Sequence, residues 1–355
     1  MMEYKKELKE LILTVIKEGA SDLHLSVGVR PAIRVNGSLM PLAKRPVLAP
    51  EDSEGLILLL LSDFNQERLK TEKEVDFSYS FEDKARFRGN AFYQKGFLSC
   101  SLRLIPPQVK ELKSLNLPET ILQHLAYKEQ GFFLVVGPIG HGKSTTLSSM
   151  IDFINHTRSE HILTIEDPIE YLFIQDKSII EQREVFFDTT SFHRALRSMF
   201  REDVNVAMIG EMRDTETIST AITAAETGHL ILSSLHTNSA GQTVNRIIDS
   251  FPPAQQNQIR IQLSSSLLGI FSQRLLPRIS GGLIPAYELL INNNAVSNLI
   301  REARIHEIDT VIETSLDQGM VSLNRSLVDL VRRGEITIEN AIAFSLNPKE
   351  LQRVI

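Results

Sequence analysis

Leu8, Leu11, Ile12, Val15 and Ile16 recur at i, i+3, i+4 and i+7, which places apolar side chains on one face of an amphipathic helix. Gly19 is expected to end that helix, because it tolerates positive φ. Short apolar runs follow at 23–25, 33–35 and 38–40, and Asn36-Gly37 predicts a type I′ hairpin turn between the last two. A second helical pattern spans about 50–70, and further strands are predicted at 76–81, 85–93 and 97–104. Arg86 and Arg88 alternate with Ala85, Phe87 and Gly89, so both arginines leave the same face of their strand. Residues 1–105 therefore read as a smaller α+β domain.

Pro106-Pro107 forbids helix continuation and opens a polar stretch, so 106–118 is expected to be a linker. Beyond it the pattern changes. Wholly apolar runs at 132–136, 162–165, 204–209 and 230–232 alternate with helical segments. Strands apolar on both faces imply a parallel sheet with helices on each side, hence an α/β domain over 119–355. From about 290 the chain reads as a helical tail, with breaks at Asn292-Asn293-Asn294 and Arg332-Arg333-Gly334.

With 355 residues, of which 42% are hydrophobic and 23% charged, the chain has enough apolar content for two domains with real cores. A net charge of -6 argues against non-specific attraction to polyanions, so no nucleic-acid partner is expected. Cys100 is the single cysteine, which excludes an internal disulfide framework and any four-cysteine zinc element. A reducing, cytoplasmic location fits that usage. The residues after Met1-Met2 lack the apolar core of a signal peptide. The longest aliphatic run, 56–61, falls far short of the roughly 18 residues that span a bilayer.

The sharpest chemical signal is Gly137-Pro138-Ile139-Gly140-His141-Gly142-Lys143-Ser144, followed by Thr145. It satisfies the pattern of a phosphate-binding P-loop, stands directly after an apolar strand and precedes a helix-compatible run. Its glycines let backbone N–H groups converge on phosphate oxygens at a helix N-terminus. Lys143 is expected to contact the β- and γ-phosphates of ATP, and the Ser144 hydroxyl to ligate Mg²⁺. Phosphoryl transfer also needs a carboxylate near the metal and a group that orients water. Glu166 and Glu211 stand at the ends of apolar strands, where ligands of open α/β sheets bind, but spacing does not say which acid does which task. His229 and His236 bracket a third apolar strand with opposite parity, which argues against paired metal ligation.

The stretches GPIGHGKSTTL from Gly137, TIEDPIEY from Thr164, IGEMRDTETI from Ile209, AAETGHLILSSLHT from Ala224 and GASDLHLSVG from Gly19 together resemble the type IV pilus and type II secretion ATPases, and within them the retraction type. The resemblance runs from about Tyr4 to Ile355. It implies a PAS-like N-terminal domain joined to a RecA-like P-loop ATPase domain, assembled as a homohexamer with ATP at subunit boundaries. It makes Glu166 the general base that orients the attacking water. It gives Glu211 the role of holding Mg²⁺ through water, in place of the more usual aspartate. It sets His229 and His236 near the γ-phosphate, and it makes Arg86, Arg88 and Arg103 candidates for trans-acting phosphate contacts. The motor implied would power pilus retraction and twitching motility. It would pull on a platform protein at the inner face of the cytoplasmic membrane, and reach the membrane only through partners.

An accessory retraction ATPase, or a pilus-extension or secretion ATPase, is the nearest rival reading. The last kind usually carries a four-cysteine element that a chain with only Cys100 cannot build. A nucleotide-binding interaction platform without hydrolysis is the rival of another class, and Lys143, Glu166 and Glu211 speak against it. Four positions depart from the family pattern. Ile139 and His141 replace a threonine and a small residue in the loop, and His141 could stiffen it or add a contact. Ser297 replaces an arginine in the motif Val296–Glu302, and Asn205 replaces an aspartate before the strand that leads to Glu211.

Overall fold

The apolar runs find their explanation in alternate burial on two sides of one sheet. In the computed structural model, which describes residues 3–355 apart from 36, 83, 106 and 107, the chain forms two compact units. One comprises Met1–Gln108 with Pro168–Leu172, the other Val109–Asp167 with Phe173–Ile355. The expected turn residue Asn36 and the linker prolines Pro106 and Pro107 lie outside the described residues.

In the first unit α1 (Tyr4–Lys17) is followed by β1 (Asp22–Leu25), β2 (Ala32–Val35), β3 (Ser38–Pro41), α2 (Pro50–Leu58), α3 (Asp63–Glu72), β4 (Glu74–Phe81), β5 (Ala85–Gln94) and β6 (Phe97–Ile105). Leu8, Leu11, Ile12 and Val15 are buried, as their spacing predicts, and Gly19 has φ of 60° directly beyond the helix end. The six strands pair antiparallel in the order β3-β2-β1-β6-β5-β4. The single helix expected over 50–70 is two helices. Ser62 breaks it by capping α3, its hydroxyl accepting from the Asn65 N–H.

The second unit contains α4 (Glu119–Ala126), β7 (Gly131–Val136), α5 (Lys143–Thr157), β8 (His161–Glu166), β9 (Ile179–Glu184), α6 (Phe192–Met199), β10 (Val206–Ile209), α7 (Thr215–Glu226), β11 (Leu230–Leu235), α8 (Ala240–Asp249) and α9 (Pro253–Ser266). A hairpin of β12 (Leu267–Pro277) and β13 (Leu283–Ile291) follows, then α10 (Asn294–Arg301), α11 (Ile308–Thr314), α12 (Leu323–Arg332), α13 (Ile338–Phe344) and α14 (Pro348–Val354). Seven strands form one sheet in the order β13-β12-β7-β11-β10-β8-β9, parallel except for the antiparallel β12–β13 pair. Phe132, Leu134 and Val136 of β7 join the core on one face, and Phe133 and Val135 the core on the other. Each apolar strand thus serves two cores, which is why its sequence shows no alternation. This is the RecA-like α/β arrangement with a helical tail. No helix among the described residues is long and apolar enough to cross a membrane.

No local pattern predicts β9, β12 or β13 as strands. In β12, Gln273 and Arg274 interrupt the apolar run, and in β13 Glu288 does so, although Gln273 and Glu288 are both buried. Glu288 stands opposite Ser272 and accepts from the Ala240 N–H at the start of α8, at 2.7 Å. Burial pushes its carboxyl up to about 7, against the opposing pull of that N–H, and Asp309 adds to the rise. The folded chain therefore holds a proton there that an unfolded carboxyl near 4.5 releases. Stability from this group is fully present below about pH 4.5 and is lost as pH rises through about 7, at a cost on the order of 3 kcal/mol. Glu288→Gln keeps the carbonyl acceptor without the charge. Denaturant unfolding at pH 5 and pH 8 should show the wild type losing more stability over that interval than the variant. Equal losses would reject the assignment.

Candidate nucleotide-binding site

Four neighbouring parallel strands, β7, β11, β10 and β8, end side by side, and each hands over to one piece of candidate chemistry. Val136 pairs with Leu235, and Ile209 with both Ser233 and Ile165, so the chain ends sit at nearly one level. The loop 137–142 follows β7, His236 follows β11, Glu211 follows β10 by two residues, and Glu166 is the last residue of β8. Backbone register alone assembles them.

The loop conformation depends on its glycines. Gly137, Gly140 and Gly142 have φ of 144°, 79° and 83°, in the region that L-residues with a Cβ rarely enter. A Cβ on Gly137 would also come within 2.3 Å of the Gln273 carbonyl oxygen, so the loop lies against the β12 backbone. Gly142 caps α5 in the left-handed conformation, and the first turn of that helix presents N–H groups with no partner inside the helix. Lys143 is buried and donates to the Gly137 and Pro138 carbonyls at 3.0 and 2.9 Å. A glycine-lined nest of backbone N–H groups with a lysine beside it fits a polyphosphate. Ser144, at the head of α5, and the carboxylates Glu211 and Glu166 are oxygen donors of the kind a hard cation such as Mg²⁺ accepts.

Lys143 also donates to His236 Nδ1 at 3.2 Å, and His236 Nε2 lies 3.5 Å from Glu211 Oε1. Because an ammonium can only donate, Nδ1 accepts and the ring proton sits on Nε2, facing the carboxylate. Burial and then Lys143 hold the imidazole below its usual range, so the ring is neutral near pH 7. Glu211 is held below the usual carboxylate range by the hydrogen bond from Arg213, with guanidinium–carboxylate distances of 2.9 Å. Glu166 is buried, and its Oε1 accepts from Thr164 Oγ1 at 2.7 Å and from Gln182 Nε2 at 3.2 Å. Two hydrogen bonds to one oxygen orient the carboxylate.

His229 does not join this group within the chain. It precedes β11 whereas His236 follows it, and the six-residue strand between them spans about 20 Å. Its Nδ1 donates to the Ala224 carbonyl at 3.1 Å, and its ring packs edge-on against Phe200. The three arginines belong to the first unit. Arg88 and Arg103 stand directly opposite each other on β5 and β6, with Arg86 two residues along β5. Like charges in that register repel unless compensated. Arg88 lies 3.5 Å from Glu170, and Arg103 donates to Asp22 at 3.0 Å. Burial opposes ionisation of Asp22, but hydrogen bonds from Ser21 and Arg103 outweigh it and hold the carboxyl below its usual value.

Three of the departures acquire physical content. Ile139 projects into solvent. Asn205 accepts from the His161 N–H at 2.8 Å and so ties β8 to the entry of β10. Ser297 on α10 donates to the Ser264 carbonyl at 2.9 Å and to Asn292 Oδ1 at 3.1 Å, so its hydroxyl turns inward. Sequence reasoning missed Thr164 and Gln182 as partners of Glu166, and Arg213 as the partner of Glu211. It also missed Gln273, whose Oε1 accepts from Thr146 Oγ1 at 2.7 Å. Arg213 follows Glu211 by two residues, and that proximity was the available signal. Thr164 likewise precedes Glu166 by two residues on β8, whereas Gln182 and Gln273 come from β9 and β12, whose places in the sheet no local pattern declares.

A family profile described as type II/IV secretion system protein matches residues 3–282. The type IV pilus retractation ATPase PilT of Pseudomonas aeruginosa is 42% identical over 335 residues, covering 94% of this chain and 97% of its own length. The type IV pilus ATPase PilU of the same species is 38% identical over 350 residues, covering 98% of this chain and 91% of its own. A crystal structure of the pilus retraction motor PilT with bound ADP superposes with a TM-score of 0.91 at 48% identity, over 97% of this chain and 98% of that one. On that extent of shared sequence and fold, the chain belongs to the type II/IV secretion system protein family.

Proposed function

We propose that this chain is an ATP-hydrolysing motor that powers type IV pilus retraction, working as a homohexamer at the cytoplasmic face of the membrane on a membrane-embedded platform protein. The observation that carries the reading is the shared edge of β7, β11, β10 and β8, where the phosphate loop, His236, Glu211 and Glu166 stand in strand order. The near full-length likeness to a pilus retraction ATPase supports the direction of work.

The loop 137–142 and the first turn of α5 bind the phosphates, and Lys143 exchanges its two carbonyl contacts for phosphate oxygens. Ser144 and Glu211, the latter through water, would hold Mg²⁺, which neutralises charge developing on the phosphates. Glu166, aligned by Thr164 and Gln182, orients water for in-line attack and takes its proton. His236 joins the phosphate-binding lysine to the metal-side carboxylate, so a change at Lys143 reaches Glu211 through one ring. Arg88 and Arg103, once their carboxylate partners are exchanged for phosphate, serve a neighbouring subunit together with Arg86. His229, at the far end of β11, is proposed to act only across a subunit boundary.

Steady-state phosphate release tests the chemistry. Lys143→Ala should lose nucleotide binding. Glu166→Gln should keep binding and lose turnover by roughly 10²–10⁴-fold, the usual worth of a general base. A wild type no faster than either variant would leave the non-hydrolysing platform as the better reading.

Shared sites are tested by mixing. Arg88→Ala and Glu166→Gln should each be nearly inactive alone, a trans arginine being worth about 10³–10⁵ in rate. An equimolar mixture should recover measurable turnover, because some sites then pair an intact Glu166 with an intact Arg88. No recovery, together with a monomeric native mass in Mg-ATP, would overturn the hexamer. The accessory role is the second reading, favoured by the similarity to PilU over almost the whole chain. Retraction that persists in a strain lacking this gene would favour it over the principal motor.

A further inference from the structure

His141 occupies the phosphate loop, yet its ring is engaged on the other side of that loop. The β7–β12 ladder ends at the pair Val136–Ser272, because β7 turns into the loop at Gly137. β12 continues to Pro277 with only β13 beside it. Residues 273–277 therefore run along an edge from which the neighbouring strand has departed. Leu275 stands opposite Pro285 in the β12–β13 ladder, and no strand lies on its other side in the sheet. The Leu275 N–H donates to His141 Nδ1, at 2.8 Å.

A second contact closes the clamp. Gln273 Nε2 donates to the His141 carbonyl at 2.9 Å, while its Oε1 takes the Thr146 hydroxyl of α5. The imidazole also packs edge-on against Phe344 at the end of α13, with ring centroids 6.5 Å apart. Arg274 of β12 donates to the Phe344 carbonyl at 2.8 Å. One side chain thus touches the loop, an unpaired strand edge and the helical tail.

We propose that His141 is a positioning residue for nucleotide binding: its neutral ring stands in for the missing strand beside Leu275 and holds the phosphate loop against β12, so that nucleotide affinity depends on it more than the chemical step does. The proposal rests on reading the loop as a nucleotide site. An Nδ1 that accepts places the ring proton on Nε2, and protonation would set N–H against N–H. Burial first, then the charges of Arg274 from β12 and Lys143 from the head of α5, disfavour the imidazolium, while α13 contributes the Phe344 ring and carbonyl.

The test combines ADP affinity by calorimetry with kcat by phosphate release, on the full chain and on His141→Ala, His141→Asn and Lys143→Ala. Asn places Oδ1 where Nδ1 stood, so it restores the acceptor without a titrating group. His141→Ala should weaken ADP binding about three- to tenfold, the worth of one backbone hydrogen bond, with kcat changed less than about twofold. His141→Asn should recover most of that affinity. Between pH 7.5 and pH 5.5 the wild type should lose more ADP affinity than His141→Asn, the nucleotide's own protonation being common to both. Equal affinities for the Ala and Asn variants, a loss confined to kcat, or the same acid loss in the Asn variant would each overturn the proposal. If Lys143→Ala binds ADP as tightly as wild type, it is the nucleotide reading itself that fails.

Discussion

The place where β7 stops decides most of what this molecule can do. Its ladder to β12 ends at Val136, and the next residue must turn so sharply against the Gln273 carbonyl that a single added Cβ would not fit. That turn produces a glycine nest on one side and leaves a strand edge without its neighbour on the other. The nest suits phosphate. The edge needs a substitute partner, and His141 provides one, held there by Gln273 of the edge itself. Binding surface and structural support are two faces of the same chain reversal.

Around that turn, ionisable groups are arranged as a series in which each sets the state of the next. Arg213 keeps Glu211 ionised, Glu211 faces the protonated nitrogen of His236, and the other nitrogen of that ring accepts from Lys143. The lysine is held by loop carbonyls that phosphate oxygens would replace. Glu166 accepts from the neutral donors of Thr164 and Gln182, which help to orient it. The two carboxylates thus have different surroundings although both follow apolar strands. This difference supports the proposed division of labour, Glu166 orienting water and Glu211 facing the metal, where spacing alone left the two roles open.

The arginine row of the first unit shows how much depends on cross-strand register. Arg88 and Arg103 share a face because β5 and β6 pair them directly, and each is compensated by an acid that lies far away in sequence, Glu170 for one and Asp22 for the other. Period-two alternation placed Arg86 and Arg88 on one face. It could not say that Arg103 would stand beside Arg88, because register is a property of two strands.

The sequence by itself determined the α1 face, the buried strands β7, β8, β10 and β11, the phosphate loop and the two candidate carboxylates, because each is written in neighbouring residues as a period, a spacing or a glycine pattern. Only the tertiary structure decided that β12 and β13 extend the sheet beyond β7, and that His236 but not His229 meets Lys143. It also decided that the His141 ring meets the Leu275 N–H of β12. The reason is the same each time: a strand edge and a hydrogen-bond partner acquire their meaning from chain segments 93 to 134 residues away, and no local pattern carries that information.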